Sequence, residues 1–376
     1  MKQTYLNKLE FNRIQEILET FCVTYTGKEI ARNLMPSSSI DAAKVLLEET
    51  TEAHILIYRL GNPPIDILPN ITVALKKLDT SGSLSTLQLL EIAKVLKLAL
   101  DLKEYFASSQ KLTTCENLGN YFSKLYSNPS ISNAIFTSIL DENIIDDRAS
   151  STLMQIRKNI RKKESDIRLK LASYLNTKYI QEPVVTIRAG RFVIPVKQEY
   201  RSEVKGFVHD ISSSGSTLFI EPMSVFDLNN DLNHLRLEEN IEIQKILDCL
   251  SALLVPIINE LKSNVELIGK IDFCFAKAKY AISISGVEPV FSREKQIDLK
   301  NARHPLINPD TVVPISINLG KTFNCLIITG PNTGGKTVTL KTVRSFMCNG
   351  SFWFIHSGWP KEHSFCIWPD FCRYRW

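Results

Sequence analysis

No apolar run of 18 residues occurs in this 376-residue chain, which excludes an ordinary membrane-spanning helix. The opening MKQTYLNKLEFNRIQ lacks the apolar core of a secretory signal. The eight cysteines show no CxxC spacing, so neither a zinc site nor a disulfide frame is indicated. Together these absences predict a cytoplasmic protein with reduced thiols and no membrane partner. There is no tandem repeat and no low-complexity tract. Tryptophan is missing from the first 352 residues; Trp353, Trp359, Trp368 and Trp376 all fall in the last 24. Apolar residues make up 44% and charged residues 23%, the balance of a globular chain of two or three domains.

The net charge of +5 is too small to identify a polyanionic partner, but its distribution is uneven. From Arg148 to Lys205 there are 14 Lys and Arg against 5 Asp and Glu. A basic arm on a slightly acidic body fits a polyanion, and a solvated lysine-rich helix face fits the same numbers.

Residues 1–145 read as a helical core domain. Leu9, Ile14, Ile17, Leu18 and Phe21 mark a first amphipathic helix, and Thr26 is placed to cap a second that stops at Pro36. A third spans Asp41–Leu60, and a fourth runs from the N-cap Ser85 to Phe106. Near Ser150 a long helix begins, with Leu153, Ile156, Ile160, Ile167 and Tyr174 at roughly heptad spacing. A second long helix covers Asp227–Leu254, carries Ile243, Ile246, Leu250 and Leu253 on one stripe, and ends at Pro256. Two such helices around one insert predict an antiparallel pair (146–180 ascending, 226–295 descending with connecting helices). The insert, 181–225, is β in character, with short runs at Val184–Ile187, Phe192–Ile194, Gly206–His209 and Thr217–Ile220. Arg188, Arg191, Lys197, Arg201 and Lys205 stud it and are the candidate nucleic-acid contacts.

The most specific signal is the octapeptide Gly330, Pro331, Asn332, Thr333, Gly334, Gly335, Lys336, Thr337, which matches GxxxxGK[ST]. Phe323–Thr329 ahead of it reads as a buried parallel strand with Cys325 in the core, and Val338–Val343 reads as the start of a helix. Strand, loop and helix in that order form a triphosphate cradle. Lys336 would meet the β- and γ-phosphates of ATP, and the Thr337 hydroxyl would bind Mg²⁺. Residues 296–343 are therefore the first part of a P-loop domain, with Val312–Ile317 an early strand.

Other candidates are weaker. His209 and Asp210 are neighbours on a strand, so their side chains point to opposite faces and form no relay. His304 suits a structural hydrogen bond better than a contact with the nucleotide base. Only Glu362 and Asp370 follow the loop, and neither ends an apolar strand, so no catalytic residue is assigned.

GPNTGGKTVTLKTV, preceded by ARHPL and LIIT, resembles the ATPase of the MutS proteins, more specifically the second type of bacterial MutS paralogue. The stretch VVTIRAGRFVIPVKQEYRSEVKGFVHDISSSGSTLFIEPMSVFDLNN resembles that family's clamp, and LEFNRIQEILETF and GNPPIDILP also fit; the likeness covers about residues 1–343. It implies a multidomain, mainly α fold: helical core, antiparallel lever helices, a small β clamp, and an α/β ABC-type ATPase. It further implies a homodimer, ATP and Mg²⁺ as cofactors, and a closing Smr nuclease domain. The implied partners are branched or mismatched DNA, in repair and suppression of recombination, or the ribosome and its rRNA, in rescue of stalled ribosomes.

The likeness stops at Val343. The expectation is a truncated chain, frameshifted by one base, with 344–376 out of frame. Permitted codons for Arg344–Met347, moved by one base, encode Gly-Leu-Leu, and those for Phe371–Trp376 encode Phe-Ala-Asp-Ile-Gly, both similar to the family. On this reading the catalytic half of the ATPase and the nuclease are missing. The alternatives are a non-enzymatic nucleic-acid-binding or dimerising remnant, and an unrelated P-loop enzyme.

Overall fold

A computed structural model of the chain describes residues 9–37, 39–109, 115–291, 296–308, 310–331, 335–349, 355–356 and 366–367. These residues are mainly helical with small sheets. No helix among them is long and apolar enough to cross a membrane. In chain order the helices are α1 (Phe11–Phe21), α2 (Tyr25–Arg32), α3 (Ile40–Leu60), α4 (Thr72–Asp79), α5 (Thr86–Ser109), α6 (Glu116–Lys124), α7 (Pro129–Ser138), α8 (Ser151–Leu175), α9 (Met223–Ala252), α10 (Ile258–Ser283) and α11 (Lys336–Asn349). The strands are β1 (Ile139–Asp141), β2 (Ile144–Ile145), β3 (Thr186–Arg188), β4 (Arg191–Lys197), β5 (Gly206–Ile211), β6 (Thr217–Pro222), β7 (Gly286–Val287), β8 (Val290–Phe291), β9 (Ile297–Ala302), β10 (Ile315–Leu319), β11 (Ile355–His356) and β12 (Cys366–Ile367). They divide between two compact units: 1–75, 91–132 and 257–376 in one, 76–90 and 133–256 in the other.

The first unit is organised by α10. The run Phe273–Ala278 is buried on every face, the signature of a helix enclosed by others. Phe11, Ile14 and Leu18 of α1 pack with Phe273, Ala276 and Tyr280. Asp272 ties the α1–α2 junction to α10. Its buried carboxylate accepts from Val23 N (3.0 Å), Thr24 N (2.7 Å) and Thr24 Oγ1 (2.8 Å). Thr24 in turn accepts from Gly27 N and caps α2. The cap expected at Thr26 is thus corrected to Thr24, because Asp272 orients the Thr24 hydroxyl while that of Thr26 donates to Val265 O. Ser85 caps α5 as expected, in a reciprocal pair with Gln88.

In the same unit β9 and β10 pair antiparallel, and Ile297, Leu299 and Ala302 pack with Val343 of α11. The early strand expected at Val312–Ile317 lies at Ile315–Leu319. The buried strand expected at Phe323–Thr329 is not found. No strand among the described residues pairs with this segment, and Phe323, Leu326, Ile327 and Cys325 are exposed. An apolar run becomes a strand only where a neighbour completes its hydrogen bonds and a second layer covers its face. Past Val343 α11 continues to Asn349, and β11 and β12 pair with β7 and β8. Trp353, Trp359, Trp368, Trp376, Glu362 and Asp370 lie outside the described residues.

In the second unit α8 and α9 run antiparallel, linked by Arg157–Glu239 (2.7 Å), Lys163–Asp231 (2.7 Å) and Arg236–Glu164 (3.0 Å). Ser150 caps α8 by accepting from Leu153 N. The insert between them is a four-stranded antiparallel sheet in the order β3-β4-β6-β5. Ala189 (φ 47°) and Gly190 (φ 76°) form the two-residue β3–β4 turn, whose positive φ at both positions matches strand twist. Phe192, Ile194, Val196 and Ile220 pack against Ile167 and Leu171 of α8 and Leu232 of α9.

Replacing Asp272 by Ala would strand three donors at the α1–α2 junction, the two of Thr24 fully buried. The expected loss of stability is about 3 kcal/mol, read as a lower urea midpoint; an unchanged midpoint would show that the junction is held otherwise.

Candidate nucleic-acid interface and phosphate loop

The basic arm is less free than its sequence suggests. Arg148 pairs with Asp146, Arg157 with Asp147 and Glu239, Arg161 with Asp147, and Lys163 with Asp231. The pairing with Arg148 holds the Asp146 carboxyl down at about 2. On the outer flank of α8, Lys158, Lys162, Arg168 and Lys170 are exposed, with no carboxylate partner among the described residues.

The five cations picked out in the insert divide in the same way. Arg191 belongs to the interior. It donates to the fully buried Glu221 at 2.7 Å and to Asn230 Oδ1 at 2.5 Å, and it lies 5.4 Å from the Phe226 ring. Asn229 Nδ2 and His209 Nε2 also meet Glu221, at 2.8 and 2.6 Å. Asn229 further exchanges hydrogen bonds with the backbone of Phe192, which locks α9 to β4. A carboxylate out of reach of water needs this many partners, so the assignment of Arg191 to ligand contact is corrected to a structural ion pair. Arg188 stacks 4.3 Å from the Phe219 ring and pairs with Asp210 in an exposed ion pair. Lys197, Arg201 and Lys205 pair with no carboxylate among the described residues. The Arg201 guanidinium is steered by the carbonyls of Val204 and Gly206, yet its side chain is exposed.

Beside them stand residues that charge counting missed. Tyr179 and Tyr200 lie with ring centroids 5.4 Å apart, and Lys178 sits over both. Nothing in their local periodicity distinguishes them from core tyrosines.

The glycine-rich loop enters α11 at Lys336. Gly330 (φ 139°) and Gly335 (φ 79°) hold backbone conformations that side chains rarely adopt. A Cβ at either would meet nothing within 4 Å, so conformation and not crowding calls for glycine. Gly335 O accepts from Thr339 N at 2.8 Å, which starts the helix. Thr337 is exposed in the first turn, and Lys336 makes no ion pair among the described residues. Pro331 is exposed; Asn332, Thr333 and Gly334 lie outside the described residues.

The remaining candidates resolve into structural roles. His209 faces Glu221 rather than Asp210, at a register shift in β5. His304 is buried, which lowers its pKa, and its Nδ1 accepts from Leu306 N, as the structural reading expects. Burial pushes the Cys274 thiol up to about 12, so it is no nucleophile at neutral pH.

Arg191→Met should uncouple sheet from helix by stranding Glu221. The expected loss is about 3 kcal/mol, measured as a depressed melting transition of the arm. A variant as stable as the parent would return Arg191 to the ligand-facing set.

No family model matches the chain. It is 43% identical over 352 residues to the endonuclease MutS2 of Acetivibrio thermocellus, an alignment covering 92% of the chain and 44% of that relative. To the endonuclease MutS2 of Clostridium botulinum strain 657 it is 42% identical over 345 residues, with 91% and 44% covered. To that of Clostridioides difficile strain 630 it is 40% identical over 354 residues, with 92% and 44% covered. Along more than nine-tenths of its length the chain is therefore similar to proteins named endonuclease MutS2, and it spans less than half the length of each.

Proposed function

We propose that this chain is part of a MutS2-type protein in which a basic arm holds nucleic acid and a glycine-rich loop binds ATP with Mg²⁺. The observation that carries the reading is the sorting of the arm's cations. Ion pairs occupy those between the helices, while the outer flank of α8 and the Lys197–Lys205 end of the sheet keep theirs unneutralised. Such residues bind phosphate by displacing counterions, without reading base sequence. Branched DNA and the RNA of a stalled ribosome are the partners this arm would meet, as one half of a homodimer. At the loop, Lys336 and the backbone amides of residues 330–337 would hold the triphosphate, and the exposed Thr337 hydroxyl would serve Mg²⁺. Mg²⁺ when bound supplies charge neutralisation between phosphates. The role proposed for the loop and α11 is binding of the triphosphate.

One observation favours the reading of a binding module that takes no nucleotide. The segment 323–329, largely exposed, pairs with no strand among the described residues. The two readings separate in titrations of the whole chain with a fluorescent ATP analogue and Mg²⁺. Saturable binding that disappears in Lys336→Ala, without hydrolysis above background, is expected; no binding by the parent would leave only the arm.

For the arm, affinity for a DNA junction should fall steeply between low and moderate salt, with each lost phosphate contact flattening the log–log slope by about 0.9. Lys197→Ala combined with Lys205→Ala should reduce that slope by about 2. An unaltered slope would remove these residues from the interface.

A further inference from the structure

We propose that Tyr179 and Tyr200, with Lys178, form a stacking platform for the unpaired bases of single-stranded nucleic acid. The proposal rests on the reading that the arm holds nucleic acid, and it names the strand state that this end of the sheet selects. The two rings are tilted by 53°, and Lys178 Nζ lies 5.9 and 5.7 Å from their centroids. Both side chains are half-buried, with part of each ring packed on the core of the sheet. Neither hydroxyl has a hydrogen-bond partner among the described residues. Elsewhere in the chain, the Tyr105 hydroxyl donates to Gly61 O, the Tyr121 hydroxyl donates to Glu49, and the Tyr174 hydroxyl meets Ser224. Those three tyrosines are used by the fold through their polar ends; Tyr179 and Tyr200 are not.

The backbone beneath the platform is fixed. Lys197 N donates to Tyr179 O at 2.9 Å, Ile180 bridges Val196, and Gln198 N donates to Ser216 O. Tyr200 closes the short 3₁₀ turn Gln198–Tyr200 that ends β4. Little ordering would be needed on binding, so ring–base contact would be expressed as affinity.

Charge at this end is nearly balanced. Lys178, Lys197 and Arg201 are interleaved with Glu182, Glu199 and Glu203, all three of them exposed. A duplex, whose bases are already stacked, meets this end through its phosphates alone and gains nothing from the two rings. An unpaired base brings a π-face, and stacking on tyrosine tolerates any base. Lys178, held over the rings, is placed for the phosphate of the same nucleotide.

The test uses the whole chain and three probes: oligo-dT, oligo-rU and a mixed-sequence duplex, each of about 20 nucleotides or pairs. Tyr179→Leu with Tyr200→Leu keeps apolar bulk but removes the flat rings. It should weaken the tighter-bound single strand about ten-fold while duplex affinity stays unchanged. The corresponding Phe pair should restore binding, which excludes a folding defect. Incorporated 5-iodouracil should crosslink to Tyr179 or Tyr200. Whichever of dT and rU binds more tightly identifies DNA or RNA as the partner. Equal loss of single-strand and duplex affinity in the Leu pair, or no loss in either, would overturn the platform and leave the arm's phosphate binding intact. Failure of the parent chain to bind any probe would instead overturn the reading of the arm itself.

Discussion

The arm depends on one buried carboxylate. Glu221 has no exposed surface, and a carboxyl group in that position must be met from several sides. Arg191, Asn229 and His209 do so, and through them β4, β5, β6 and α9 become one body. Asn229 gives one hydrogen to Glu221 and another to the Phe192 carbonyl, so helix and strand share a single anchor. The apolar core of Phe192, Ile194, Ile220 and Leu232 supplies non-directional attraction. The polar cluster supplies direction, fixing which helix face meets which strand.

That anchor decides which charges are left for a ligand. A basic stretch has two competing uses, to close the arm upon itself and to attract a polyanion. Arg157, bonded to Asp147 and Glu239, and Arg191, bonded to Glu221, are each only a fifth exposed, so they serve closure. Arginine suits this use because its fork satisfies two acceptors at once. The cations left unpaired are mainly lysines: Lys158, Lys162 and Lys170 along α8, and Lys178, Lys197 and Lys205 at the sheet. A lysine keeps its hydration and moves freely, which suits contact with a phosphate backbone in variable register. The division by residue type follows the division by role.

The sequence made much of this visible. The heptad positions Leu153, Ile156 and Ile167 are buried along α8; three of the four β runs of the insert fall within paired strands, and the first, Val184–Ile187, overlaps β3 at Thr186 and Ile187. Ser85 and Ser150 cap the helices that their positions indicate. These are local signals, legible because period and cap chemistry act within one or two turns. What stayed hidden is set at long range. The cap at Thr24 depends on Asp272, almost 250 positions away. The interior role of Arg191 depends on Glu221 and Asn230, and the pairing of the half-buried Tyr179 and Tyr200 rings depends on where β4 ends. The glycine loop was legible as a pattern, while the fate of the strand before it was not.

Phe323–Thr329 shows why. Leu326 and Ile327 have the composition of a strand buried on both faces, yet Ile327 is 79% exposed. In a phosphate loop the preceding strand fixes one end of the loop and the following helix fixes the other. Here α11 supplies its end: Val343 packs on Leu299 and Ala302, and Lys341 reaches Glu10 at 2.9 Å. The other end rests on 323–329, which pairs with no strand among the described residues. Backbone amides grip a triphosphate only when they converge, so a loop held at one end must lose conformational freedom as it binds. Whatever strand pairs with 323–329 would bear that entropy in advance. On the proposed nucleotide-binding reading, affinity would therefore be coupled to the pairing of 323–329, whose Leu326 and Ile327 side chains are exposed.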